Sequence, residues 1–159
     1  MVSRRLLKPT SWHYAVRLMY GNVAQIKKVI EELEELNLAL AEGDKEHITE
    51  EVADVELVLP YIKIAYDAPA PFLVEHRGRM DYGLASKILI RLLELKLSER
   101  AVEYSLTKAI EAMAQYICCC LADICHSYSI KECDVDRYKE EKMRRTVKRT
   151  IKKMIGVES

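Results

Sequence analysis

The sequence predicts an all-α protein, built as a bundle of four to five helices. Apolar residues recur at the three- and four-residue spacing of a helix through most of the chain, whereas no stretch alternates with period two for long enough to indicate a strand. Only five glycines and four prolines interrupt the 159 residues, so the helices should be few and long. A chain of this length is expected to form a single all-α domain, residues 1–159.

The first two predicted helices follow each other closely. The first is predicted over about 12–40, with Gly21 inside it and Gly43 ending it, because glycine commonly terminates helices. The second begins near Asp44 or His47 and continues to about position 66. The connection between them is short, which favours antiparallel packing of the two helices.

The middle of the chain is predicted to add two further helices. The segment APAP (68–71) breaks the helical pattern, and FLVEHRGRM (72–80) is expected to form a linker or a short turn of helix. A third helix is predicted over about 81–97 and a fourth over about 99–127, with Ser98 as the N-cap of the fourth.

A fifth helix, rich in Lys and Arg, is predicted over about 134–154 after the connector SYSIKECD. The chain is therefore expected to have three parts: a metal-binding helix pair at 12–66, additional middle helices at 68–132 and a basic C-terminal helix at 134–155.

Composition and charge argue against several classes of protein. The 25 basic and 25 acidic side chains cancel, so the chain lacks the excess positive charge that binds nucleic acids or anionic membranes. No apolar run approaches the roughly 18 residues that span a bilayer. The first eleven residues lack the apolar segment of a signal peptide. Five cysteines, three of them consecutive, do not make a pairing framework, so we expect a cytoplasmic protein with neither nucleic-acid nor membrane partners.

The run EELEELNLALAEGDKEHITEEVAD (31–54) places many acids on two helices that also carry regular apolar stripes. A helix advances ~100° per residue, so the direction of each acid can be compared with that of its stripe. In the second helix Glu51 falls inside the apolar arc, and Asp54 lies at the edge of the arc on the same side. Glu50 and Glu56 point away from the arc, as solvated acids should.

The first helix shows the same division. Glu32 lies at the border of its apolar stripe and Glu35 lies one step further round the same side, whereas Glu31 and Glu34 face elsewhere. Each helix therefore offers a pair of acids, three residues apart, beside its core stripe. Antiparallel packing of the two helices would bring the two pairs together.

Acids beside a core stripe need partners, because burying an unpaired carboxylate is costly. Four carboxylates in one place repel each other unless cations neutralise them. Mg²⁺ suits such a site because it prefers oxygen ligands and keeps waters and phosphate oxygens as further ligands; Mn²⁺ is possible. The sequence therefore predicts a metal site formed by Glu32, Glu35, Glu51 and Asp54. The alternative is that these acids decorate the surface or form salt bridges to the Lys-rich helix.

The acid pairs also match a known motif. EELEE (31–35), fifteen residues and EVAD (51–54) resemble the ExxE…ExxD signature of the all-α nucleoside triphosphate pyrophosphohydrolases, the MazG-like group. GNVAQIKKVIEELEEL (21–36) and ITEEVADVE (48–56) are similar to the wider motifs of that group. KMRRTVKR (142–149) resembles its Lys-Met-x-x-Asn-x-x-Arg segment, with Thr146 where the family usually has Asn.

The resemblance implies an activity and roles for these residues. Members of this group cleave a nucleoside triphosphate or deoxynucleoside triphosphate between the α and β phosphates with the help of Mg²⁺, in nucleotide-pool control or house-cleaning. They form homodimers or homotetramers. Glu35 and Glu51 are the expected catalytic residues among the metal ligands, and Glu35 is expected to orient the attacking water as well. Lys142 and Arg149 are expected to bind the substrate phosphates.

Several interpretations stay open. The basic helix suits a solvated C-terminal helix as well as a phosphate site, because its cations also match the helix dipole. Trp12, His13 and Tyr20 could stack on a nucleobase, but such aromatics more often belong to a core or an interface. Leu57 and Tyr61 lie opposite the main stripe of the second helix, which favours an oligomer. A non-catalytic interaction module and a nucleotide-sensing protein are the alternative functions.

Overall fold

The computed structural model describes residues 4–68, 70–98 and 104–156. This part of the chain contains seven helices and two short strands, so the all-α class is confirmed. In chain order the elements are β1 (Arg4–Leu7), α1 (Ser11–Tyr20), α2 (Asn22–Glu42), α3 (Lys45–Val58), α4 (Pro60–Ala65), β2 (Phe72–Glu75), α5 (Tyr82–Ser98), α6 (Tyr104–Ser127) and α7 (Glu132–Met154).

Gly21 separates α1 from α2, so the prediction of one uninterrupted helix is wrong at this residue. Its backbone has φ 86° and ψ 162°, a conformation that glycine adopts easily and other residues avoid. The Gly21 N–H still donates to the carbonyl of Arg17 at 2.7 Å, which closes the last turn of α1. A new helix then starts at Asn22.

Helices α2 and α3 form an antiparallel hairpin, as predicted. Gly43 ends α2 in the left-handed conformation, and its N–H donates to the carbonyl of Ala39 at 3.0 Å. Asp44 caps α3 by accepting a hydrogen bond from the backbone N–H of Glu46 at 3.1 Å. Because only two residues connect them, the helices must run in opposite directions along each other.

The second predicted helix is divided at Pro60. Proline has no N–H to donate, so it ends the hydrogen-bond ladder of α3 and occupies the first position of α4. Leu59, between the two helices, keeps right-handed helical dihedral angles of φ −53° and ψ −38°. The chain thus continues helically from Lys45 to Ala65 with one interruption.

The two strands were not predicted. β1 pairs with β2 in antiparallel register, with Arg4 opposite Glu75 and Leu7 opposite Phe72. Residues 72–80 were expected to be a linker or a helical turn, but residues 72–75 are a strand that packs against α6. Gln115 of α6 bonds both the N–H and the carbonyl of Leu73 at 2.8 Å. Neither RRLL nor FLVE alternates apolar with polar residues, so a period of two gave no signal for these strands.

The later helices agree with prediction apart from one cap. Ser98 is the last residue of α5 and its hydroxyl donates to the carbonyl of Leu95 at 2.7 Å, so it is not the N-cap of the next helix. The predicted start of the fourth helix, at residues 99–103, lies outside the described residues. The basic helix begins slightly earlier than predicted, at Glu132.

One hydrophobic cluster receives side chains from all seven described helices and both strands. Helix α2 packs against α3 and α5, α6 covers α5 and β2, and α7 lies on the other side of α3. Leu57 and Tyr61 are each 4% exposed, and Tyr61 packs against the rings of Trp12 and His13. The second apolar side of the predicted second helix, now α3 and α4, is therefore covered within the chain and does not itself require a second copy. Among the described residues, no helix is long and apolar enough to cross a membrane.

Candidate active site

Four carboxylates meet between α2 and α3. Glu32, Glu35, Glu51 and Asp54 each offer one oxygen atom, and these four atoms all lie within 4.8 Å of one another. Glu32 is 1% exposed, whereas Glu51 and Asp54 are each 8% exposed. We call this set the carboxylate cluster. The angular placement on the two helices predicted this meeting correctly.

The neighbouring acids behave differently. Glu31, Glu34 and Glu50 are exposed to solvent, as their directions on the helices predicted. The apolar stripes of α2 and α3 face each other, so acids on the opposite sides of these helices remain in water. The acids of the run at 31–54 therefore divide into a buried set and a solvated set.

Glu56 is the exception, because the prediction that it is a solvated acid is wrong. It is 1% exposed and accepts two hydrogen bonds from the guanidinium of Arg5, at 2.7 and 2.8 Å. The ammonium of Lys139 donates to it as well, at 3.1 Å. Strand β1 and helix α7 cover this side of α3, and both lie far from Glu56 in sequence.

Two buried carboxylates of the cluster each have one engaged and one free oxygen. Glu32 Oε1 accepts from the ammonium groups of Lys142 at 3.0 Å and Lys28 at 3.1 Å, and Glu51 Oε1 lies 3.2 Å from His47 Nε2. The Oε2 atoms of Glu32 and Glu51 are buried and have no hydrogen-bond partner. Buried acceptors are normally satisfied, so these two oxygens favour a bound cation.

The electrostatics of the cluster point in the same direction. Burial and the neighbouring charge of Glu32 raise the pKa of Glu35 to about 7. Burial also raises the pKa of Asp54 to about 6, against the effect of Lys142, and it raises the pKa of Glu51. Burial opposes ionisation of Glu32, but the ammonium groups of Lys142 and Lys28 lower its pKa. A divalent cation would relieve the repulsion that these shifts express.

A cavity of about 490 Å³ adjoins the cluster at Asp54. Four cationic side chains line it, from Lys28 on α2 and from Lys142, Arg145 and Arg149 on α7. Lys142 also pairs with Asp54 at 2.9 Å, so its ammonium lies between the cluster and the cavity. The structure thus brings the two predicted phosphate-binding residues, Lys142 and Arg149, to the same cavity. Thr146 lines it between them.

Aromatic side chains form another part of the cavity wall. Trp12 and Tyr20, two of the predicted base contacts, line the cavity together with Tyr61. The indole Nε1 of Trp12 is buried and has no hydrogen-bond partner. The cavity therefore combines cations near the carboxylates with apolar ring surface.

His13, the third predicted base contact, is not among the residues that line the cavity. Its Nε2 donates to the carbonyl of Leu57 at 2.8 Å, and its Nδ1 accepts from the backbone N–H of Thr10 at 3.1 Å. Burial lowers the pKa of His13 to about 4 despite the bond to Leu57, so the ring is neutral near pH 7. His13 instead connects α1 to α3.

His47, Lys28, Arg145 and Tyr61 are among the residues of the site that were not predicted. Helical spacing carried a signal for three of them. Lys28 and His47 each precede an acid of the cluster by one turn, and Arg145 follows Lys142 by three residues on the same face of α7. No local signal indicated that Tyr61, which was interpreted as part of an oligomer interface, would line the cavity.

Comparison with known proteins agrees with this geometry. Residues 1–65 match the model of the family phosphoribosyl-ATP pyrophosphohydrolase. No curated protein and no solved structure matches the chain significantly. The matched segment contains α1 to α4 and the whole carboxylate cluster, and it ends before α7. This match supports a nucleotide pyrophosphohydrolase activity in general. Residues 1–65 of the chain are therefore similar to this pyrophosphohydrolase family, in agreement with the resemblance to the MazG-like group that the acid motifs had indicated.

Proposed function

We propose that this chain is a Mg²⁺-dependent nucleoside triphosphate pyrophosphohydrolase. It would cleave a nucleoside or deoxynucleoside triphosphate between the α and β phosphates, releasing the monophosphate and pyrophosphate. The observation that carries the proposal is the position of the four-carboxylate cluster directly beside a cavity lined by four cations. The carboxylates could bind a metal ion and the neighbouring cations could bind phosphate oxygens, so together they match the charges of a metal-bound polyphosphate.

The carboxylate cluster would hold Mg²⁺, or Mn²⁺ in its place. The free buried oxygens of Glu32 and Glu51 and the raised pKa values of Glu35 and Asp54 support this assignment. When bound, the ion would offset negative charge on the phosphate oxygens during bond cleavage.

The cations of α7 would bind the triphosphate. Lys142 pairs with Glu32 and Asp54 at 3.0 and 2.9 Å, so its ammonium neutralises the cluster from the side of the cavity. Arg149 is an exposed residue in the wall of the cavity. Its guanidinium would form hydrogen bonds with phosphate oxygens further from the cluster. Lys28 and Arg145 add positive charge at the same wall.

Glu35 would orient the attacking water. It is the least buried member of the cluster, so its carboxylate is the one that solvent reaches most easily. A carboxylate within hydrogen-bonding reach of the water can accept its proton. In this role the Glu35 carboxylate would accept a proton from the water as the water oxygen bonds to the α phosphorus and the bond to the leaving pyrophosphate breaks.

The aromatic wall would bind the base. Trp12 and Tyr20 offer ring faces for stacking on the base. Tyr61 lies edge-on to Trp12 with ring centroids 6.5 Å apart, which holds the indole in place.

A second candidate substrate is phosphoribosyl-ATP, since the family matched by residues 1–65 carries that name. It contains the same triphosphate, so the chemistry at the carboxylate cluster would be unchanged. The two candidates differ in whether the cavity must also accept a second ribose phosphate on the base. Turnover of each substrate under the same conditions separates them.

The test is a pyrophosphate-release assay with Mg²⁺ over ribo- and deoxyribonucleoside triphosphates and phosphoribosyl-ATP, for the wild type and Glu51→Gln. We expect Glu51→Gln to lower the rate by about 100-fold or more while keeping the fold, because it removes a charged ligand from the cluster. The metal-free variant should be as stable as the wild type or more stable, since one repelling charge is lost. Glu34→Gln, a change of an exposed acid on α2, is the matched control and should keep full activity.

Two other outcomes point to the alternative functions. If the wild type releases no pyrophosphate from any substrate, the enzymatic proposal is wrong. Stabilisation by nucleotide and Mg²⁺ without turnover would then indicate a nucleotide-sensing protein. If the protein shows neither turnover nor stabilisation by nucleotide, the remaining alternative is a helical interaction module.

A further inference from the structure

His47 connects the surface to the carboxylate cluster. It lies in the first turn of α3, one turn before Glu51, and its Nε2 is 3.2 Å from Glu51 Oε1. Its other ring nitrogen, Nδ1, is 3.1 Å from Oε2 of Glu42, the last residue of α2. The side chain of Glu42 is 62% exposed and that of Glu51 only 10% exposed, so the three residues lead from solvent inwards.

The ring of His47 can hold one oxygen of Glu51 in place. An ionised carboxylate only accepts hydrogen bonds, so each of the two contacts needs an N–H on the ring. Glu42 restrains the ring from the far side, which fixes the direction of Nε2. The engaged oxygen is Oε1, and the other oxygen, Oε2, is the one that is buried without a partner.

We propose that His47 is a positioning residue for Glu51, holding Oε1 so that Oε2 is presented to the metal ion. The inference rests on the proposed metal site of the pyrophosphohydrolase. Glu32 has the same arrangement, since Lys28 and Lys142 engage its Oε1 and its buried Oε2 is also free. The two central carboxylates of the cluster are thus each oriented by a basic side chain one helical turn before them. Partners of this kind restrict the rotamers of a ligand before the ion binds.

The experiment compares His47→Leu with His47→Gln. Leu fills similar space but has no donor, whereas Gln keeps an N–H that can reach an acceptor one turn further along the helix. Mn²⁺ affinity is measured by calorimetry on the full chain without nucleotide, and kcat and KM for pyrophosphate release are measured separately. We expect His47→Leu to weaken Mn²⁺ binding about 10-fold or more, and His47→Gln to restore it to within about threefold of the wild type. In His47→Leu, kcat should fall more than KM rises.

Lys45→Gln is the matched control, because Lys45 is an exposed residue in the same turn of α3. It should leave Mn²⁺ affinity, kcat and KM unchanged. Wild-type Mn²⁺ affinity in His47→Leu would overturn the inference, and so would an equal loss in His47→Leu and His47→Gln. If His47→Leu does not fold, Glu42→Gln is measured in its place. We expect a smaller loss of Mn²⁺ affinity in Glu42→Gln, and an unchanged affinity would overturn the inference.

Failure of the inference and failure of the proposed function give different results. Mn²⁺ binding that depends on His47 without pyrophosphate release from any substrate would contradict only the proposed function. Pyrophosphate release with Mn²⁺ binding that does not depend on His47 would contradict only the inference. A wild type that binds no Mn²⁺ would contradict both.

Discussion

At the scale of single residues, the candidate site depends on which oxygen of each carboxylate is already engaged. Lys142 donates to Glu32 and pairs with Asp54, so one ammonium serves two acids of opposite helices. Its side chain is 26% exposed, which allows it to reach the cavity as well. Lys142 therefore stabilises the cluster without a metal and remains available to phosphate.

This double role of Lys142 leads to a prediction about stability. Lys142→Gln should lower the free energy of unfolding of the metal-free protein by about 1–3 kcal/mol, because Glu32 and Asp54 lose a charged donor. Saturating Mg²⁺ should reduce this difference, since the ion would replace the missing positive charge. Urea unfolding in EDTA and in Mg²⁺ measures both values.

Arg144→Gln is the control for Lys142→Gln. Arg144 also lies on α7, but its side chain is 76% exposed and pairs with the equally exposed Glu140. Its replacement should change the free energy of unfolding by less than about 0.5 kcal/mol, with or without Mg²⁺. Equal effects of the two substitutions would contradict the role assigned to Lys142.

At the scale of elements, α1 is positioned by a few specific contacts rather than by continuity with α2. Gly21 interrupts the helix, and His13 then fixes α1 by donating to the carbonyl of Leu57 on α3. This arrangement places Trp12 and Tyr20 at the cavity while the ring of His13 stays outside it. The position of Trp12 and Tyr20 at the cavity therefore depends on both the helix interruption at Gly21 and the hydrogen bond of His13.

The buried, neutral ring of His13 predicts a dependence of stability on pH. The folded-state pKa is about 4 and the ordinary value is 6.5, so the unfolded chain binds more protons as the pH falls below about 6.5. The contribution of the neutral His13 ring to the free energy of unfolding is complete above pH 6.5. This contribution is lost as the pH falls from 6.5 to 4, and the loss amounts to at most about 3 kcal/mol.

The measurement is urea unfolding in EDTA at pH 7 and at pH 4.5, for the wild type and His13→Gln. The carboxylates titrate in both proteins, so the difference between them isolates His13. The stability advantage of the wild type should shrink as the pH falls. An advantage that stays constant would show that His13 does not titrate as its burial implies.

Gly21 gives a second prediction at this scale. Gly21→Ala should destabilise the protein by about 1–2 kcal/mol, because its φ of 86° is unfavourable for a residue with a Cβ atom. No atom lies within 4 Å of the added Cβ, so the cost comes from the backbone and not from a clash.

Gly83→Ala provides the matched comparison for Gly21→Ala. Gly83 lies inside α5, and a Cβ there meets only ordinary contacts, the nearest being Asp81 Oδ1 at 3.5 Å. Alanine is the better helix former, so this change should be neutral or stabilise by up to about 1 kcal/mol. Thermal unfolding of the two variants checks the opposite signs, and destabilisation by both would contradict the argument.

At the scale of the whole molecule, the site joins two segments that are far apart in the chain. The acids come from α2 and α3, whereas the cations Lys142, Arg145 and Arg149 come from α7. Buried Glu56 helps to hold these parts together, because Arg5 of β1 and Lys139 of α7 both bind it. Arg5 also reaches Glu132 on α7 at 2.9 Å.

A metal bound between α2 and α3 should stabilise the whole fold. Mg²⁺ at ~100 times its Kd adds about 2.7 kcal/mol to the free energy of unfolding, which raises Tm by roughly 5–10 °C for a chain of this size. Titration of Mg²⁺ into EDTA-treated protein, followed by thermal unfolding, measures the rise. Asp54→Asn should lose most of it, and an identical rise in this variant would place the ion elsewhere.

The helical hairpin and the carboxylate cluster could be predicted because both follow from local periodicity. The direction of a side chain around a helix depends only on its distance from its neighbours along the sequence, so Glu51 could be assigned to the core face of α3 directly. Gly43 and Asp44 likewise mark the turn by their own conformational preferences. The helix class, the hairpin and the pairing of the acids were thus determined by the sequence by itself.

The tertiary structure decided which elements cover the remaining faces. Glu56 is buried because Arg5, 51 residues earlier, and Lys139, 83 residues later, both reach it. His13 is excluded from the cavity by its bond to Leu57, 44 residues away. No local pattern encodes such partners, because periodicity records only that a face is apolar or charged and not what packs against it. The sequence determined where the acids point, and only the packing of α1, α7 and β1 decided which polar groups share the site with them.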